Sequence, residues 1–352
     1  MHPSAWLRRQ RLSRRHLFTP LLLSLGVLVG IAIGLGEPSP WHLLRGAFDG
    51  RWLAVALLLL GASLGLRTLR LRWLAAGRLS WRAAWRVQLW WEFAGTVTPS
   101  SIGGAPAAVY FMCRERMRAG VASSVALLAV LFDQLWLVTL VFALFVSAWY
   151  VPLLPLGGAF KGGAVLLLAL PLGWTGLLGY LVLRPDWIPR IGQRICRLGL
   201  FRRYQELVQR ELQELVVRSR EFRRRPLGFF FKGYALTLLV WLTRMGVLLA
   251  VVASLVPSAD WLLLFLRQAL LLLGGLLIPT PGGSGGVEGL FMLLVAPLLP
   301  RAFRVPILGL WRLLTYHLLV LSGLGLLARQ VRKGRTACRR AMAPLTPQVE
   351  YS

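Results

Sequence analysis

Acidic residues are scarce in this 352-residue sequence: 13 Asp and Glu stand against 41 Lys and Arg, for a formal charge of +28. An enzyme working at a membrane face would display clustered acids or histidines. Here the acids are scattered, and His2, His16, His42 and His317 form no cluster. Cys113, Cys196 and Cys338 show neither CxxC spacing nor neighbouring histidines, which argues against disulfides and against a zinc site. No cofactor and no catalytic activity are therefore expected. So basic a chain also suggests nucleic acid, but arginines that bind it gather on a solvated face or domain. The sequence offers none, and nucleic acid is not an expected partner.

What it has is apolar length. Hydrophobic residues make up 57% of the chain, in runs of about twenty residues, as a helix crossing a bilayer requires. Lys and Arg are retained on the cytoplasmic side of such proteins, so the basic clusters orient the runs. Arg8, Arg9, Arg11, Arg14 and Arg15 precede a run at 17–36. Its full-span length and lack of a small-x-small cleavage site predict a retained anchor with its amino terminus inside. Spans then follow at 52–66, 121–150, 163–183, 229–256 and 305–328. The cluster of Arg67, Arg70, Arg72, Arg78, Arg82 and Arg86 is assigned to the cytoplasm, as are Arg114, Arg116 and Arg118. Residues 184–226 are strongly basic, with Phe201, Tyr204, Val208, Leu212, Leu215 and Phe222 at helical spacing. They read as an amphipathic cytoplasmic helix on anionic lipid headgroups. The expectation is a single all-α integral membrane domain over 1–352, a polytopic bundle with both termini cytoplasmic in a bacterial inner membrane.

Two apolar segments are interrupted. Segment 87–112 breaks at Thr98-Pro99 and Gly103-Gly104, with basic clusters at both ends. Its arms, roughly 8 to 14 residues each, are too short to cross about 30 Å of hydrocarbon. It is predicted to be a re-entrant hairpin. Segment 261–300 breaks at Pro279–Gly286 and opens from the other side. The two breaks share the pattern TPxxxGG, which places Thr98, Pro99, Gly103 and Gly104 opposite Thr280, Pro281, Gly282, Gly283, Gly285 and Gly286. Each is flanked by spanning helices. The architecture is then about six spanning helices plus two re-entrant broken hairpins in an inverted repeat, 52–150 and 229–328, the plan by which many carriers build a midplane site. A helix broken in lipid leaves backbone groups that lipid cannot pair. The half-helices starting near Ala105 and Val287 would aim N–H groups at an anionic headgroup.

Charges inside apolar segments mark the same region. Glu92, Asp133, Arg244, Arg267, Glu288 and Arg312 would each cost on the order of 3 kcal/mol if left unpaired at the bilayer centre. Glu288 and Arg312 are the expected substrate-binding pair with the glycine tips, since a guanidinium fork suits a phosphate or a carboxylate. Glu92, Asp133, Arg244 and Arg267 are possible intramembrane charge partners. His317 is expected to be a hydrogen-bonded interior residue. No residue is assigned as catalytic or metal-binding.

The stretch from Pro279 to Glu288 resembles the proline- and glycine-rich signature, ending in an acid, of the lysylphosphatidylglycerol synthase transmembrane-region family. Pro99 to Met112 is similar to that family's first glycine-pair motif, and Trp311-Arg312-Leu313-Leu314-Thr315-Tyr316 resembles its last-helix arginine motif. Members typically place an acid and an arginine after the first glycine pair, where this sequence has Ala105 and Ala108. The resemblance implies flippase-like translocation of an anionic or headgroup-modified phospholipid in envelope lipid assembly. It makes membrane lipids the partners, along with a separate lipid-modifying enzyme. The basic tail after Ala328 is too small for an aminoacyl-transferring domain. An integral-membrane enzyme on a lipid-linked substrate and a noncatalytic scaffold of a lipid-synthesis complex are the competing readings.

Overall fold

The computed structural model describes residues 48–98, 103–151 and 225–328, with isolated positions at Gly26, Val29, Gly30, Ile33, Gly173, Gly176, Leu177 and Tyr180. The spans expected at 17–36 and 163–183, Pro99, the basic tail and almost all of the amphipathic segment 184–226 lie outside them. Among the described residues the chain is helical. Helices α1 (Gly50–Leu74), α2 (Trp81–Val97), α3 (Gly104–Arg114) and α4 (Ala119–Ser147) form the first half. Helices α5 (Leu227–Ala253), α6 (Trp261–Leu276) and α7 (Gly286–Leu294) begin the second. The last, α8, starts at Arg301, passes through a π-helical turn at Leu313–His317 and ends at Ala328. Four of these, α1, α4, α5 and α8, are long and apolar enough to cross a membrane. Together with the short apolar helices they make the all-α, polytopic bundle read from the sequence.

Local chemistry sets the boundaries. Asp49 caps α1 by accepting the Arg51 N–H at 2.9 Å, Ser80 caps α2 through the Ala83 N–H at 3.2 Å, and Asp260 caps α6 through the Leu263 N–H at 3.0 Å. Helix α1 runs eight residues beyond the expected end at 66. At 25 residues it is about 37 Å long, against about 22 Å for the 15 expected. The extra turns carry Arg67 and Arg70 into the bundle, a correction to their assignment to the cytoplasmic cluster. Helix α2 likewise begins at Trp81, six residues before the expected arm.

Both interrupted segments fold as broken pairs. Helices α2 and α3 are 17 and 11 residues, and α6 and α7 are 16 and 9. The longest is about 25 Å, short of the hydrocarbon thickness. Each half of the described chain therefore runs long helix, broken pair, long helix. The opening helices α1 and α5 lie antiparallel: Asp49 N–H donates to the Ser254 carbonyl at 2.9 Å, Ser63 Oγ to the Val240 carbonyl at 3.4 Å, and Arg70 to Thr237 Oγ1 at 2.9 Å.

The halves also exchange partners. The closing helix of the first half, α4, packs Trp136, Leu137 and Val141 against Leu266, Ala269 and Leu273 of α6. The closing helix of the second, α8, packs Tyr316 and Val320 against Trp90 and Phe93 of α2. Each half keeps its own core as well, around Leu71, Val87, Met112 and Phe132 in one and Leu248, Leu264, Phe291 and Ile307 in the other. Apolar side chains such as Leu58, Phe142 and Phe231 stay exposed on the outside, as a lipid-facing surface requires. Trp149 and Tyr150, exposed at the end of α4, suit the membrane interface.

Candidate functional site

A cavity of about 350 Å³ opens where these pieces meet. Its walls come from α1, α2, α5, α6, α8 and the loop between α6 and α7. Arg67, Glu92, Arg244 and Arg312 give it charge, Trp241 and Tyr316 give it aromatic surface, and Gly282 and Gly283 bring backbone to its edge. Arg244 sits nine residues, about 14 Å, from the end of α5. The cavity is thus polar at a depth where the surrounding helices are apolar.

On one side stands an ion pair. Arg312 Nε donates to Glu288 Oε1 at 2.8 Å, and both side chains are buried, at 6% and 0% exposure. The other Glu288 oxygen accepts the Gly285 N–H at 2.8 Å, and Arg312 Nη2 donates to the Gly282 carbonyl at 3.2 Å. The arginine therefore ties α8 to both ends of the glycine loop. Burying two charges is costly unless the remaining donors and acceptors are also met, and here backbone groups of the broken helix meet them. The loop needs glycine: Gly282 has φ +60°, and a Cβ there would lie 2.0 Å from the Tyr316 ring. Gly285, at φ +87°, turns the chain into α7.

Glu288 also revises the expected chemistry of the half-helix. Its carboxylate occupies the first turn of α7, where an anion from outside was expected. A side-chain anion there stabilises the positive helix end and repels a second negative group. Behind the pair, the π turn of α8 leaves the Arg312 carbonyl 3.1 Å from Nδ1 of His317, which is half-buried.

The opposite side holds a larger network. Glu92 is paired with Arg67, accepts from Gln88 at 2.9 Å and reaches Arg244 at 3.4 Å. Asp133 takes Arg70 through two bonds of 2.7 and 3.0 Å and accepts the Trp241 indole N–H at 3.0 Å. The Trp241 ring lies 5.5 Å from the Arg67 guanidinium and 5.8 Å from that of Arg244, within cation–π range of both. Four helices, α1, α2, α4 and α5, are joined by these side chains.

A cavity between broken helices, lined by charge, is what the paired TPxxxGG breaks lead one to expect. The sequence profile of the lysylphosphatidylglycerol synthase transmembrane region matches residues 17–323, most of the chain. The chain belongs to that family. A protein of Archaeoglobus fulgidus described as a "UPF0104 membrane protein" is 24% identical over 245 residues, covering 66% of this chain and 71% of the relative. No solved structure matches the chain.

Within this lysylphosphatidylglycerol synthase transmembrane-region fold the residues singled out from sequence divide. Gly282, Gly283, Arg312, Glu92 and Arg244 line the cavity. Glu288 stands immediately behind Arg312. Thr280 and Gly286 shape the second tip: Thr280 Oγ1 donates to the Ser284 carbonyl at 2.9 Å, and Gly286 packs on Ile278. Pro281 accepts the Ser284 hydroxyl at its carbonyl. At the first break Gly103 N–H donates to Thr98 Oγ1 at 2.9 Å, and Gly104 lies against Trp91. Among the described residues of that segment, the last turns of α2, at Glu92, Gly95 and Thr96, face the cavity. Asp133 lies one layer out, through Trp241. Arg267 donates to the Leu294 carbonyl at 3.2 Å, so it caps the carbonyl end of α7. Arg67 and Arg70 were assigned to the cytoplasmic cluster, Tyr316 entered only through the last-helix motif, and Trp241 was not named. The signal for the first two was the 15-residue span at 52–66, too short to cross unless the helix continued through both arginines.

Proposed function

We propose that this protein is a lipid translocase, a noncatalytic carrier in which a headgroup enters the cavity while its acyl chains stay in the bilayer. The observation that carries this reading is the charged cavity of about 350 Å³ between two broken, oppositely running halves of an apolar bundle. A polar guest can cross there without meeting hydrocarbon, and two halves that pack through exchanged helices can rock about a fixed site. Membership in the lysylphosphatidylglycerol synthase transmembrane-region family supports a lipid as cargo, an anionic or headgroup-modified phospholipid in envelope assembly. A separate enzyme would supply any modified headgroup. The bacterial inner membrane, with both termini cytoplasmic, is the location this reading assumes.

Reconstitution tests it. Liposomes containing the protein and fluorescent or aminoacylated phospholipid are expected to show leaflet exchange. Glu288→Gln and Arg312→Ala, checked for monodisperse behaviour in detergent, are expected to abolish it. Exchange at the rate of protein-free liposomes overturns the proposal, and a covalently altered lipid would point to an integral-membrane enzyme instead.

A further inference from the structure

Among the described residues the charges around the cavity do not balance. In the Trp241 network three guanidiniums, Arg67, Arg70 and Arg244, face two carboxylates, Glu92 and Asp133. Across the cavity Arg312 and Glu288 cancel. Geometry shows which cation is in surplus. Arg70 holds Asp133 with two short bonds, and Arg67 holds Glu92 closely. Arg244 reaches Glu92 through one long contact of 3.4 Å, and its side chain keeps 36% exposure against 12% for Arg67 and 7% for Arg70. It lies on the cavity wall. Its side chain turns into the bundle, toward Glu92 and the Trp241 ring. A guanidinium inside an apolar bundle without a full counter-charge among the described residues is costly, and this one borders a space of about 350 Å³, large enough for a phosphate.

We propose that Arg244 is the docking point for one singly charged phosphoryl group inside the cavity, with Glu92 the internal competitor that releases it. The assignment rests on the translocation reading and narrows it: the cargo's phosphate carries a negative charge that the protein, not a neighbouring ammonium, neutralises. A phosphodiester lipid and a small soluble phosphodiester share this chemistry. On arrival the anion takes the Arg244 donors and restores charge balance in the Trp241 network. Glu92 stays with Arg67 and Gln88, and its negative charge keeps the anion from being held permanently. The first turn of α7 is excluded as the docking point because Glu288 already fills it.

Thermal unfolding of the full chain in a neutral detergent tests this, because a ligand that binds only the folded state raises the melting temperature. Short-chain phosphatidylglycerol is compared with phosphatidylcholine of equal chain length and with glycerophosphoglycerol, the soluble phosphodiester headgroup. The wild type is expected to be stabilised by phosphatidylglycerol and not by phosphatidylcholine. Arg244→Gln should weaken that binding about ten-fold, the usual scale for a charged hydrogen bond, while melting no lower than wild type without lipid. Arg78→Gln, an exposed cation outside the cavity, should keep the full shift. A shift given equally by glycerophosphoglycerol supports the anion site and assigns a soluble source; a shift given only by the lipid assigns the lipid. If Arg244→Gln keeps the phosphatidylglycerol shift, or phosphatidylcholine matches it in the wild type, the proposal is overturned. Leaflet exchange is not read here, so an anion site can fail while translocation stands, and the reverse.

Discussion

Single residues at the second tip do two jobs at once, and substitutions separate them. Glu288 neutralises Arg312 and caps α7 through the Gly285 N–H. Glu288→Gln keeps an acceptor for the cap but strands a buried guanidinium, and breaking a buried pair this way costs about 3–5 kcal/mol. A lower melting temperature in detergent is expected, with part of it recovered in Glu288→Gln/Arg312→Gln, where no charge is stranded. A double variant no more stable than the single would show that the pair is not the controlling contact. Gly282 is constrained twice, by its positive φ and by the Tyr316 ring. Gly282→Ala should destabilise by about 1–3 kcal/mol from backbone strain plus the overlap. Adding Tyr316→Ala should relieve only the overlap, so a full return to wild-type stability in the thermal melt would refute the strain component.

At the level of helices, the exchange of partners between halves makes narrow predictions. Gly323 on α8 leaves room for Phe93 of α2, where a Cβ would come within 2.0 Å of the ring. Gly323→Val should therefore push α8 away from α2 and widen the cavity on that side. A lowered melting temperature is expected, and Phe93→Ala in the same chain should restore much of it; no rescue would mean the contact is not shared in this way. The elements themselves were largely legible in the sequence. Four spans announced themselves by apolar length, and the two breaks by proline and glycine. Less legible was which part of each break faces the cavity. TPxxxGG marks both tips, yet Thr98 spends its hydroxyl on Gly103 and the preceding turns of α2 supply Glu92 instead. Hydropathy records where a helix must break but not which face turns inward, since that depends on neighbours far along the chain. Arg67 illustrates the limit: positive charge next to an apolar run reads as a cytoplasmic flank, and only its pairing with Glu92, 25 residues away, reveals it as interior.

For the whole molecule the antiparallel relation of α1 and α5 is decisive, because it fixes the ends of the bundle independently of any charge rule. The Asp49 to Ser254 hydrogen bond puts the start of α1 beside the end of α5. The loop after α5, with exposed Ser258, therefore lies at the opposite end from the loop between α1 and α2, with exposed Arg78. The chain's basic clusters then choose the sides, with Arg72, Arg78 and Arg82 expected to be retained in the cytoplasm. In intact cells a membrane-impermeant thiol reagent should label Ser258→Cys and leave Arg78→Cys unlabelled until the membrane is permeabilised, each in a background lacking the native cysteines. Labelling of both in intact cells would be incompatible with the bundle crossing the bilayer once along α1 and once back along α5. Labelling of Arg78→Cys alone would keep the fold and invert its orientation, and the broken pair α2–α3 would then enter from outside.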